Sequence, residues 1–236
     1  SPLNLEKYDY VNTESTLHHG HKYEPLSIMY YEKKYNTIVE DFGCIPHDSY
    51  DFIGASPDGI NVKKDSELYG RMVEIKNIVN REITGIPKEE YWIQMQLQME
   101  TCNLDECDFL ETQFIEYENE ESFNNDGSFE YTNDDKMKGI IVYFIDNGKP
   151  LYKYMPLGYS KIEFESWYDN LLEENIHLTW MKNIYWKLDK VSCVLVTRNT
   201  FWFKHAVPKI KEVWDIIVKE RVTGHSHRLP VKKTKN

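Results

Sequence analysis

Apolar positions along the chain change period several times, and each change predicts an element. Leu26, Met29, Tyr30 and Tyr35 recur at helical spacing, which predicts a helix from about Gly20 to Lys34. Short apolar runs near Thr37–Asp41, Tyr50–Ala55 and Arg71–Asn77 read as strands. A second helix is expected from Lys88 to Thr101, opening after Pro87. Within it Tyr91, Gln94 and Gln98 stand at i, i+3 and i+7 and share one face, leaving Met95, Leu97 and Met99 for packing. Strands recur at Phe109–Tyr117, Gly139–Ile145 and Leu151–Met155. The nearly unbroken apolar run from Lys138 to Ile145 suits a strand covered on both faces. A long helix is expected from Lys161 to Trp186, with Phe164, Trp167, Leu171, Leu178 and Met181 near one stripe, and another from Pro208 to Arg221. No internal repeat is present. Helix, strands, helix and strands in that order predict an α/β or α+β sandwich.

At 236 residues the chain can bury a substantial core as one domain, residues 1–236. We expect its core over about 15–160 and a helical, basic extension over about 161–236. No run of apolar residues is long enough to span a membrane, and no signal peptide is visible. The chain opens Ser-Pro-Leu-Asn without a Met, as a fragment lacking its natural start would. Cys44, Cys102, Cys107 and Cys193 are scattered and lack metal-ligand spacing, so they read as thiols in a reducing, intracellular compartment. His18, His19 and His21 fall on different helix faces and read as solvated or capping residues. The tryptophans, Trp167, Trp180, Trp186, Trp202 and Trp214 among them, read as core rather than a base-stacking platform.

The formal net charge of −11 argues at first against a polyanionic ligand. The acidity is local, however: Asp105 to Asp135 holds 12 acidic residues and no Lys or Arg, and the remainder sums to +1. Glu116–Asp135 reads as a solvated loop between strands. Lys204–Asn236 carries +6, and Arg228–Asn236 reads as a disordered basic tail suited to phosphate contacts without sequence preference.

The candidate chemistry lies in Gly54-Ala55-Ser56-Pro57-Asp58-Gly59 and Val73-Glu74-Ile75-Lys76-Asn77. Residues two apart on a strand share a face, so Glu74 and Lys76 project together. Asp58, at the end of the Tyr50–Ala55 run, is brought to them if Asn61–Met72 turns the chain back. Two carboxylates suit a hard cation such as Mg2+. An ammonium beside them can orient water or counter the charge on an attacked phosphate. The combination is suited to phosphodiester hydrolysis.

Pro57-Asp58 with Glu74-Ile75-Lys76 resembles the PD-(D/E)XK nuclease superfamily. With Gly20/Glu24 on the preceding helix and Tyr91/Gln94 on the following one, residues 15–102 resemble the YqaJ-like viral recombinase family, that of phage lambda exonuclease. The resemblance implies a restriction-endonuclease-like core, a central mixed sheet flanked by helices. It also implies an exonuclease resecting duplex DNA ends, 5′ to 3′, for recombination or repair. On that pattern Asp58, Glu74, Lys76 and Gln94 are catalytic. Glu24, Asp58, Glu74 and the Ile75 backbone carbonyl hold Mg2+, for which Mn2+ substitutes. Ser56, Tyr91 and Gln98 meet the DNA. Expected partners are double-stranded DNA, a single-strand annealing protein and further copies of the chain, with no membrane. Lambda-type members place an arginine and a serine near the DNA 5′-phosphate from a helix upstream, whereas Ser1–His19 contains no arginine. A composition heavy in Asn, Lys, Ile and Tyr points to a low-GC genome such as that of a large DNA virus, hence a host cytoplasm or nucleus. A nicking or structure-specific endonuclease and a non-catalytic DNA-binding module remain the alternatives. Covalently closed DNA separates the first, and Mg2+-dependent nucleotide release separates the second.

Overall fold

The computed structural model describes Thr13, residues 15–224 and Arg228. Helix α1 (Thr16–Tyr35) begins at Ser15, whose side chain accepts the His18 N–H at 3.1 Å, and ends at Asn36 in the left-handed region. Strand β1 (Val39–Glu40) follows, then the two-residue strands β2 (Ile45–Pro46) and β3 (Gly54–Ala55), which pair with each other. Next come β4 (Gly59–Asn61), β5 (Met72–Asn77), α2 (Glu89–Cys102) and β6 (Glu106–Glu116). The short α3 (Glu120–Asn124) leads to β7 (Lys138–Asp146) and β8 (Lys149–Tyr154). Then come α4 (Lys161–Glu174), β9 (Thr179–Thr197) and α5 (Thr200–Thr223).

Seven strands form one sheet in the order β1-β4-β5-β6-β9-β7-β8. Only β5 and β6 run parallel; the other pairs are antiparallel. A parallel pair needs a crossover, and α2 supplies it. The sheet is therefore mixed and flanked by helices, as expected.

Both faces of β5 are covered at its start. Val73 and Ile75 pack with Tyr31 of α1 and Leu110 of β6, while Met72 packs with Met95 and Met99 of α2 and Phe109 of β6. Each fully buried side chain of this kind contributes roughly 1.5–3 kcal/mol. The alternation leaves Glu74 and Lys76 on the α2 face.

Three expectations need correction. The helix expected to run to Trp186 stops at Glu174, and residues 179–197 form the long strand β9 in the middle of the sheet. Ile184, Trp186, Leu188 and Val196 are its buried positions, all at even spacing, a period of two that the helical stripe overrode. The core therefore continues beyond residue 160. Second, Tyr50–Ala55 contributes only β3, and the strand that pairs with β5 is β4. Third, residues 117–135 are a built substructure rather than a bare loop. Phe123 is fully buried, and the buried Lys138 ammonium donates to the carbonyls of Phe123, Asp126 and Ser128 at 2.6, 2.6 and 2.7 Å. Of the tryptophans, Trp186 is core, but Trp180 is 48% exposed near the start of β9. The basic tail lies outside the described residues except for Arg228, which pairs with Glu220. Among the described residues no helix is long and apolar enough to cross a membrane.

Candidate active site

Gly59 sets the position of Asp58. It pairs with Val73 on β5, and a Cβ there would fall 2.2 Å from Val39 Cγ1 on the neighbouring β1. Only glycine lets the three strands close. Asp58, one residue earlier, is thereby drawn against β5, where its Oδ2 accepts the Ile75 N–H at 2.6 Å.

Glu74 is fully buried. Its Oε1 forms an ion pair with the Lys76 ammonium, and its Oε2 accepts from Gln98 Nε2 at 2.9 Å. The Lys76 ammonium also donates to Gln94 Oε1 at 3.4 Å and sits 4.9 Å from the Tyr91 ring centroid. The face shared by Tyr91, Gln94 and Gln98 is thus the one α2 turns toward Glu74 and Lys76.

The α1 side is anchored by a polar knot. Asn77 Oδ1 accepts from Ser27 Oγ at 2.7 Å and Thr112 Oγ1 at 2.8 Å, and its Nδ2 donates to the Gly20 carbonyl at 3.1 Å. That contact seats the start of α1 on the end of β5 and brings Glu24 within electrostatic range of the pair.

Burial and mutual repulsion dominate the electrostatics. Burial, reinforced by the negative charge of Glu74, pushes the Asp58 carboxyl up to about 7. The Glu24 carboxyl is also raised, mainly by burial, with Glu74 adding to the effect. The oxygen donors that could hold a hard divalent cation are Asp58, Glu74 and the Ile75 carbonyl, with Glu24 alongside. As they stand, no three His, Cys, Asp or Glu side chains among the described residues close into a metal-binding cluster. The Glu74 oxygens are turned to Lys76 and Gln98 instead.

The remaining expected residues divide. Ser56 is exposed, and its carbonyl accepts from Gln98 at 3.3 Å. Gln98, expected at the DNA, is 3% exposed and braces Glu74 from behind. Two residues escaped the sequence reading. Glu111 of β6 is buried and accepts from Arg81 Nη2 at 2.5 Å. The guanidinium carbon of Arg81 lies 5.7 Å from the Tyr91 ring centroid. An acidic residue just after Phe109 and Leu110 in an expected strand was the available signal for Glu111; Arg81, in a loop, left none.

Comparison with known proteins bears on this arrangement. Residues 4–105 match the family described as the YqaJ-like viral recombinase domain. An uncharacterized protein of Acanthamoeba polyphaga mimivirus is 33% identical over 252 residues, covering 90% of this chain and 45% of the relative. The chain thus spans less than half the length of that curated relative. Among solved structures, an alkaline exonuclease from Laribacter hongkongensis is 23% identical, covers 69% of this chain and 71% of its own, and has a TM-score of 0.36. The corresponding complex with dAMP is 21% identical, covers 69% and 74%, and has a TM-score of 0.35. The segment that matches the YqaJ-like viral recombinase domain, residues 4–105, includes every candidate residue from Glu24 to Gln98.

Proposed function

We propose that this chain is a metal-dependent deoxyribonuclease that degrades linear duplex DNA from its ends, 5′ to 3′, in recombination or repair. What supports the reading is that Asp58, Glu74, Lys76 and Gln94 gather around β5 in a segment that matches the YqaJ-like family. The donor set fits Mg2+, with Mn2+ as a substitute. Two carboxylates buried together, one of them raised to about 7, are short of positive charge, and both are hard oxygen ligands.

When bound, the cation would supply Lewis acidity toward water and phosphate. The chain's own residues do the rest. Gln98 donates to Glu74 Oε2 and fixes the carboxylate beside Lys76. Gln94 positions the attacking water or a phosphate oxygen. The water oxygen bonds to phosphorus as the P–O3′ bond breaks in line with it. Lys76, partly exposed and held on the Tyr91 ring, orients that water or shields the charge that grows on the phosphoryl oxygens. Exposed Ser56 offers a hydroxyl to a phosphate. These contacts address the backbone, so cleavage does not depend on base sequence. Duplex DNA is the substrate on this reading. A single-strand annealing protein and further copies of the chain are its proposed partners, inside a host cell.

The test uses linear duplexes labelled at one strand end at a time, beside a covalently closed circle, in Mg2+ and in EDTA. Mononucleotides should leave linear DNA from the 5′ end in Mg2+, with none released in EDTA and the circle left intact. Cleavage of the circle would replace the exonuclease by a nicking enzyme. No cleavage of any DNA would leave a binding module.

A further inference from the structure

Arg81 and Glu111 adjoin the candidate site, and the chemistry above does not use them. Glu111 on β6 is in register with Lys76 on β5, so both side chains rise from the same face of neighbouring strands, about 4.8 Å apart. Glu111 is only 1% exposed, and a buried carboxylate is costly unless paired. Its Oε1 takes Arg81 Nη2 at 2.5 Å, while its Oε2 is buried without a hydrogen-bond partner. Arg81 nevertheless keeps 26% of its side chain exposed. Of the guanidinium's five donors, one goes to Glu111 and one to the Glu82 carbonyl at 3.3 Å. Tyr91 carries Arg81 at 5.7 Å and Lys76 at 4.9 Å from its ring centroid, so two cations share one ring. Both cations keep part of their side chains exposed, 22% for Lys76 and 26% for Arg81, so an anion can reach them from solvent. The planar guanidinium fork matches two oxygens of a phosphate.

We propose that Arg81, seated by Glu111 and Tyr91, grips the phosphate that flanks the scissile one on the strand being cut. This rests on the nuclease reading above. Lys76 serves the scissile phosphate, and Arg81 stands one strand spacing away from it. Adjacent phosphates of one strand lie farther apart than the axial rise of about 3.4 Å per nucleotide, and cations held 4.9 and 5.7 Å from one ring centroid can stand far enough apart to meet two of them. Glu111 is a positioning residue. Its charge holds the guanidinium on the ring, and without it Arg81 is free to turn to solvent.

The experiment measures release of the first nucleotide from linear duplexes in which a neutral methylphosphonate replaces one flanking phosphate at a time. The unaltered protein is compared with Arg81→Ala, Arg81→Lys and Glu111→Gln in Mg2+. On ordinary DNA, Arg81→Ala should raise KM on the order of ten- to a hundred-fold, the range for a hydrogen bond to a charged group, with kcat changed far less. At one flanking position the methylphosphonate should impose a similar loss on the unaltered protein and no further loss on Arg81→Ala. Glu111→Gln should show part of that insensitivity, which a merely structural role would not produce. If Arg81→Ala fails to fold, Arg81→Lys, which keeps the charge and loses the fork, carries the same comparison. Equal losses for variant and unaltered protein at every position would overturn the proposal while leaving the nuclease reading intact. Failure of the unaltered protein to cut ordinary DNA would remove both.

Discussion

Glu74 and Lys76, two residues apart on β5, form an ion pair whose carboxylate is fully buried and whose ammonium keeps 22% of its side chain exposed. Strand periodicity aligns them, and α2 closes over the carboxylate while leaving the ammonium facing outward. Removing Lys76 leaves a buried charge uncompensated, which costs about 3–5 kcal/mol of stability. Lys76→Ala should therefore melt earlier and cut DNA about a hundred-fold more slowly or worse. Adding Glu74→Gln should restore the melting temperature but not the rate. Lys76→Arg should rescue activity poorly, because a guanidinium is differently shaped and keeps its proton. Full activity in Lys76→Arg would reduce Lys76 to a diffuse electrostatic contribution.

Asp58 should oppose stability where it serves function. Its folded pKa of about 7 lies above the ordinary carboxylate value, so the folded state holds a proton that the unfolded chain releases. By linkage, stability falls as pH rises from about 4 to about 7, and above that the ionised group is a standing cost. Asp58→Asn, which keeps an oxygen for the Ile75 N–H, should raise the melting temperature in EDTA at pH 8. The expected rise is about 2–4 °C per kcal/mol recovered. The same variant should lose cleavage. A lowered melting temperature in EDTA would contradict the electrostatic account.

The same group predicts a pH profile. A divalent cation needs the ionised carboxylate, so cleavage should climb as pH rises through about 7 at limiting Mg2+, with the onset moving lower as Mg2+ increases. Calorimetric titration of Mg2+ below pH 7 should show proton release that disappears in Asp58→Asn. Mg2+ binding without proton release would exclude Asp58 as its ligand.

Asn77 tests the anchoring of α1. Asn77→Ala removes one hydrogen bond from each of the buried Ser27 and Thr112 hydroxyls, which still bond each other at 2.9 Å, and frees the Gly20 carbonyl, at about 0.5–1.5 kcal/mol for each bond lost. The variant should melt earlier and, through the displaced Glu24, need more Mg2+ for half-maximal cleavage. An unchanged Mg2+ requirement would separate α1 docking from the site.

The parts of this molecule legible in the sequence are those whose information is local. Helix α1, helix α2 and strand β5 announce themselves by spacing, and the two-residue step from Glu74 to Lys76 survives folding unchanged. Strand β9 was hidden because Leu178 and Met181 extend the stripe of α4, whereas the alternation of Ile184, Trp186 and Leu188 begins only afterwards. Gln98 looked like a surface residue because its burial is decided by Glu74, distant in sequence. Arg81 and Glu111 are joined by parallel pairing of β5 with β6 across a crossover, a relation that no sequence period encodes.

The most direct test of the central claim is the rate at which Glu74→Gln cuts a linear duplex in Mg2+, with DNA affinity measured on the same samples. Glu74 touches Lys76 and Gln98, and its side chain is fully buried. The account predicts a loss of about a hundred-fold or more in cleavage rate, with DNA affinity nearly unchanged. Cleavage by Glu74→Gln at the rate of the unaltered protein would contradict it.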